Sequence, residues 1–569
     1  MRWLAFLTTL IAAAIISYGA LQPMRVKPWR VLPATAFSAE RAMADVRSIG
    51  ERPHPTGSAD SARVRGVLAA RLRALGFEVR EAAVPLSDKA KARLVKWREP
   101  VPENAVNLVA VRAAGDAAAP LVALMAHYDS VSGSPGAADD GAGVAAALEI
   151  ARALAADPAG APKRGLAIVL TDAEELGLDG ARGFFAGDPL AKRVGMIVNM
   201  ETRGGGGRAT MFETIGPNGN MIDVLRRSVT MPKANSLSVR VYQLLPNSTD
   251  LTMAKSTGIP GYNYAFIGNA ALYHSPLATP AALDIRSLKD MGSQALDLTR
   301  ALLAAPALPA PAPDAVFSDV LGGFVIAYPV WGGWVVIGLA ALLIGLAARR
   351  LYGQWRGSEM VVGAALAVFA SVVAAALLFG FNLFSQAAGP QNYYDRLAAL
   401  PRLELGAVAL MLAGLGAVAG SVRRDAGGRG GWIGLALLNL LLTVAIQIWI
   451  PAAGPLFGWP LLLASLALFV AAMVPALATL TAMVVAVVGL AMLADFGHFL
   501  LLGIGISTPS AVAVVMPVAL LLLWPLWPPL GRRDAWIGVL GLAIVAAALA
   551  AWVRFDALAP SVATYSLFE

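Results

Sequence analysis

Residues 121–154 read LVALMAHYDSVSGSPGAADDGAGVAAALEIARAL, and the fold of this chain turns on them. An apolar run of strand type leads into His127 and Asp129. A Gly/Pro/Ser-rich loop then delivers Asp139-Asp140, and Gly141 and Gly143 open a helical pattern at 141–156. Strand, loop and helix in this order form the unit of an open α/β sheet, whose ligand sites lie at the C-terminal ends of its strands. A His and an Asp meeting there suit a divalent cation. Asp129, two residues beyond His127 along an extended strand, suits the other imidazole N–H.

The pattern continues on both sides. Residues 61–75 place Val64, Val67, Leu68, Leu72 and Leu75 on one helical face, with Gly76 as the stop. Strands are expected at 106–112, 120–127, 165–171, 195–201, 237–243 and 260–266, and further helices at 218–229, 249–257 and 284–303. The expected fold is therefore α/β, a mostly parallel mixed sheet with helices on both faces. The strand GLAIVLTD runs into Ala173-Glu174-Glu175, the strand GMIVNMETRG ends near Glu201, and Tyr273-His274 follows PGYNYAFIG. Adjacent carboxylates at a strand end repel each other unless a cation or a shared proton offsets them. One such acid can bind metal while its neighbour handles a proton.

Each piece has a bland counterpart: a hydrogen-bonded loop histidine, a solvated helix start, an Asp-Asp turn or N-cap. Their conjunction favours a metal site, because two of only four histidines occupy strand ends alongside these acids. With no cysteine in the chain, any metal must sit on His and carboxylate ligands. Gly204–Gly207 lacks a following Lys-Ser/Thr, so it reads as a flexible loop near the site and not a phosphate cradle. Ser248 and Asp250 either line the pocket or cap the helix at 249–257.

Composition divides the chain. Its 569 residues are 57% apolar and only 14% charged, with a mean hydropathy of +0.64; an average soluble domain carries roughly a quarter charged residues. Residues 3–22 are long and apolar enough to span a membrane, as a retained anchor or a cleaved signal. Beyond the Pro/Ala stretch 304–314, read as a stiff spacer, eight spans are expected, at about 331–348, 360–384, 403–422, 431–450, 455–473, 475–493, 509–529 and 535–553. Basic clusters at Arg349-Arg350 with Arg356, Arg423-Arg424 with Arg429, and Arg532-Arg533 all fall on one side, which would be cytoplasmic. The expected organisation is thus an anchor at 1–24, a hydrolase domain at 40–303, a linker and membrane approach at 304–330, a membrane domain at 331–553 and a tail at 554–569. Net charge is +8, but many arginines flank the apolar runs, so membrane lipid is expected as a partner and nucleic acid is not.

The motifs HxD, DDGxG, EEL, NxE and YH across 121–275 resemble the co-catalytic di-zinc aminopeptidase family. Residues 197–216 and the multi-span layout are most similar to its membrane-bound endoplasmic reticulum metallopeptidase-like members and their bacterial relatives. The resemblance covers about residues 45–303, including the opening turn 50–58 with a structural His54. It implies two zinc ions bridged by Asp139, one also bound by His127 and Glu201, the other by Glu175 and His274. It further implies Glu174 as general base, Asp129 as partner of His127, Tyr273 near the oxyanion, and a peptide substrate. Many members carry Asp where this chain has Glu201, and Asp-Asn where it has Asp139-Asp140, which makes Asp140 a neighbour and not a ligand. Carboxypeptidase-like and glutamine-cyclising enzymes share the fold and stay open as alternatives. So does a transporter or scaffold role for the tail, although its spans hold few ionisable residues.

Overall fold

Seven strands form one sheet in the order β1-β2-β4-β3-β5-β7-β6 in the computed structural model. They are β1 (Glu78–Pro85), β2 (Asn104–Arg112), β3 (Leu121–His127), β4 (Leu166–Thr171), β5 (Val194–Thr202), β6 (Thr210–Ile215) and β7 (Gly261–Phe266). The structure describes residues 2–555 apart from 115, 117, 158–161, 387–397, 422–427, 505–508 and 529–530. Arg423-Arg424 and the tail beyond 555 therefore lie outside the described residues.

The central strands β4, β3, β5 and β7 are parallel, while β1, β2 and β6 join antiparallel. Every residue of β3 and β4 is buried, as strands covered on both faces must be. Leu121, Ala123 and Met125 share one cluster with Phe184 and Leu251 from the helices Asp179–Gly187 and Asp250–Ala254. The alternate side chains of β3 point to the other face, where Gly141–Ala155 and Ile285–Ala304 pack. Parallel register pairs His127 with Thr171 and Glu201 with Ala265. The loops after β3, β4, β5 and β7 thus leave from one edge of the sheet.

Two expectations change. Residues 237–243 are not a strand but the helix Ser236–Tyr242, because the Asn235 side chain accepts from the Ser238 amide at 2.7 Å and caps it. The edge strand is Thr210–Ile215 instead. The Pro/Ala stretch is no free spacer either: Ala310 accepts from Asn220 at 2.9 Å, and Asp314 accepts from the Asn218 amide at 3.0 Å. Two short strands, Ala315–Val320 and Phe324–Pro329, follow.

The chain divides into two compact units, residues 22–315 with 322–327 forming the first. The second contains, among the described residues, nine helices long and apolar enough to cross a membrane: Arg2–Leu21, Gly332–Arg350, Gly357–Ser385, Leu400–Val418, Arg429–Trp449, Pro451–Met473, Pro475–Gly503, Pro509–Leu526 and Arg532–Phe555. Small residues let two of them approach closely, since a Cβ on Gly363 would lie 2.2 Å from the Gly431 carbonyl. His498 and Glu404 pair across two helices at 2.7 Å.

Candidate metal centre

Asp139 stands at the middle of the site and turns its two oxygens to different partners. Its Oδ1 lies 3.1 Å from His127 Nε2, and that nitrogen lies 3.5 Å from Glu201 Oε1. Its Oδ2 lies 3.2 Å from His274 Nε2, and that nitrogen lies 3.1 Å from Glu175 Oε2. All five residues are at most 9% exposed. Two ligand atoms held tetrahedrally around zinc, each at its usual bond length, sit about 3.3 Å apart, so the observed spacings match ligands drawn around an ion.

The loops explain the placement. Asp140 caps the helix Gly141–Ala155 by accepting from the Gly143 amide at 3.0 Å, and its other oxygen accepts from the His127 amide at 3.3 Å. Both oxygens therefore have partners, although Asp140 also lies within reach of His127 and Glu201. Asp129 departs from expectation. Its main-chain carbonyl faces His127 Nδ1 at 3.0 Å, and its carboxylate is farther away at 3.4 Å. That carboxylate instead forks onto the amides of Glu174 and Glu175 at 3.1 and 3.2 Å. It ties the loop after β3 to the loop after β4.

On the His274 side the glycine run is packed, not flexible. The Gly206 amide donates to the Gly268 carbonyl at 3.0 Å and the Gly205 amide to Asn269 at 3.3 Å. A Cβ on Gly204 would fall 2.3 Å from the Gly268 carbonyl, so only glycine permits this approach. The Tyr273 ring stacks on His274 with centroids 3.6 Å apart. His54 is a buried structural residue whose Nδ1 meets the Arg52 carbonyl at 2.8 Å.

Acid outweighs base here. Burial pushes Glu174 well above the usual carboxylate range, with Glu201 and Glu175 adding to the shift against the pull of His127. Glu201 is pushed up to about 7, again by burial first. Burial alone would raise Asp139 too, but the two imidazoles it faces hold it below its ordinary value. Burial disfavours a charged His127, yet Glu201, Asp129 and Asp139 raise it well above the ordinary histidine value. The cluster thus draws positive charge into itself. Glu175 Oε1 is also buried without a hydrogen-bond partner, a costly state unless a cation takes it up. An oxygen and imidazole donor set free of sulfur suits zinc or a similar divalent ion.

The structure places His127, Asp129, Asp139, Glu174, Glu175, Glu201, Tyr273 and His274 at this one sheet edge, leaves Ser248 exposed, and adds others. Asp172, buried, is pushed up to about 6 by burial and then by Asp129. Asp250, left open between pocket and cap, is also buried and pushed up to about 6; Thr249 takes the cap position and Asp250 pairs with the Thr171 hydroxyl. Asp172 stands in the quoted strand end, but nothing in its spacing marks it as a residue that holds the loop.

Residues 107–299 match the model for Peptidase family M28, so the chain carries a domain of that family. Over 241 residues it is 30% identical to Endoplasmic reticulum metallopeptidase 1 of Mus musculus, covering 41% of this chain and 27% of that protein. Over 342 residues it is 29% identical to the Vacuolar membrane protease of Yarrowia lipolytica, covering 57% of this chain and 34% of the other. The chain thus spans only about a third or less of the length of these relatives. Among solved structures, BSAP, a zinc aminopeptidase from Bacillus subtilis, aligns over 50% of this chain and 100% of its own at 15% identity, with a TM-score of 0.38.

Proposed function

We propose that this chain is a membrane-held, zinc-dependent exopeptidase of the aminopeptidase kind. Two zinc ions would be held by His127, Asp139 and Glu201 on one side and by Asp139, Glu175 and His274 on the other. The observation that carries this reading is the division of Asp139 between two His–carboxylate sets. Two such ions, when bound, supply an activated water and polarise the scissile carbonyl.

The chain's own groups do the rest. Glu174 takes the proton of the attacking water and passes it to the leaving amine. Its burial among other acids favours the basicity this needs. Asp129 holds the Glu174 and Glu175 amides, so base and ligand keep a fixed relation. Tyr273, stacked on His274, offers a hydroxyl to the carbonyl oxygen as charge develops there. The apolar helices hold the catalytic unit at a membrane, and the basic clusters favour its lying on the non-cytoplasmic side, periplasmic or luminal.

The test is elemental analysis of the purified full chain, paired with hydrolysis of amino-acid amides and of peptides blocked at either end. About two zinc ions per chain is the stoichiometry a co-catalytic pair requires. Hydrolysis confined to free-amine substrates, abolished in Glu174→Gln with metal retained, supports the reading. Metal with activity only on amine-blocked peptides, or cyclisation of amino-terminal glutamine, overturns the aminopeptidase part. Absence of both metal and turnover overturns the whole.

A further inference from the structure

The turn that carries Glu174 and Glu175 has a backbone that L-residues disfavour. Ala173 has φ 58° and Leu178 has φ 67°, both non-glycine residues in the left-handed region. Cβ crowds the following carbonyl in that conformation, so the surroundings must over-determine the turn.

The groups that do so converge on Asp172. Its Oδ1 accepts from the Thr56 hydroxyl at 2.8 Å and from the Ala173 amide at 2.8 Å. Its Oδ2 accepts from the Val106 amide at 2.9 Å. Three donors on one side chain call for a carboxylate, which is acceptor only; an amide would turn its NH₂ against one of them. Asn107 completes the frame, accepting from the Asp172 amide at 3.0 Å and donating to the Gly180 carbonyl at 2.8 Å. The far end closes on the near end where the Gly180 amide meets the Asp172 carbonyl at 3.1 Å. Thr56, Asn107 and Asp172 are all buried.

Thr56 belongs to the segment 50–58, which precedes the sheet in the chain. Two residues earlier, the His54 amide donates to Ser130 Oγ at 3.0 Å. One short segment therefore braces both the loop after β3 and the loop after β4. Asp129 holds the amides of both Glu174 and Glu175, and Arg93 adds a hold on the Glu175 carbonyl at 2.6 Å. Glu174 follows the left-handed Ala173 directly, so the frame around Asp172 bears on the direction in which its side chain leaves the turn.

We propose that Thr56 and Asp172 are positioning residues for Glu174: they fix the turn at Ala173 and so the direction of the general base. Neither touches the reacting atoms. The inference rests on the role given to Glu174 above.

The experiment compares Thr56→Val, Thr56→Ser, Asp172→Asn and Glu174→Gln in the full-length protein. The readouts are zinc per chain, melting temperature, kcat and KM on an amino-acid amide. A catalytic group misplaced by about 1 Å loses on the order of 100-fold in rate. Thr56→Val and Asp172→Asn are therefore expected to lower kcat by about 10- to 100-fold, with KM and zinc content unchanged. Thr56→Ser, which keeps the hydroxyl, is expected to restore most of the rate. In a Glu174→Gln background, Thr56→Val should have no further effect, because both changes act through one group. Full kcat in Asp172→Asn beside an inactive Glu174→Gln overturns the inference and leaves the proposed function standing. So does a fall in kcat that merely follows zinc loss or unfolding. An active Glu174→Gln removes the assignment on which both rest. If Asp172→Asn fails to fold, Thr56→Val, which loses a single hydroxyl, decides the matter alone.

Discussion

The two flanks of the site are held by opposite means. The turn bearing Glu174 and Glu175 is fixed by side chains, with Asp172 below and Asp129 forked onto its amides. The segment leading to His274 is fixed by main chain, with Gly204–Gly207 laid against residues 268–272 so closely that no Cβ fits at Gly204. Beyond that run, buried Arg208 pairs with buried Asp290 at 2.8 Å. Polar side chains can aim a group finely where a proton must move. Packed backbone gives a rigid post where a ligand has only to stay in place.

Substitutions can break each support in turn. Asp290→Ala should have the largest effect, since it leaves the Arg208 charge buried and orphans the Ala209 amide. About 3–5 kcal/mol of stability should be lost, read from denaturant or thermal unfolding of the catalytic unit. Gly204→Ala should cost less, about 1–3 kcal/mol, and its sign of having struck the His274 flank is zinc loss before any change at Glu174. Asp129→Ala should weaken metal binding by about 10- to 100-fold, because it releases the Glu174–Glu175 amides while the main-chain carbonyl still faces the His127 ring; competition with a chelator measures it.

A further effect is one of pH. Glu201 is raised from 4.5 to about 7 and Asp250 from 3.8 to about 6. Between those values the folded state holds more protons than the unfolded chain, so stability falls as pH rises through the window. Chelator-treated protein should therefore melt at a lower temperature at pH 7.5 than at pH 5, and added zinc should erase the difference. An unchanged melting temperature across this range would deny that the site's acids are uncompensated.

Much of this was legible in the residues. Apolar runs ending in His127, Glu174-Glu175 and Glu201 carry both the strand assignment and the site, because buried parallel strands admit few other readings. Residues 237–243 misled because alternating Val239 and Val241 mimic a strand, while the Asn235 cap that decides for helix is a single side chain. β1 stayed hidden because its exposed, charged pattern lacks an apolar run. The glycine run was opaque for a different reason. Its rigidity comes from residues more than sixty positions away, and no local pattern announces such a neighbour.

Asp139 has one more consequence. On the two-zinc reading proposed above, a carboxylate divided between two ion-binding sets would make the two occupancies thermodynamically dependent on each other. Whatever factor the first ion applies to the affinity for the second, the second applies to the first. Damage confined to Glu201 or to Glu175 should therefore appear in the zinc titration of both sets, with the proposed pair expected to fill and empty as one linked equilibrium.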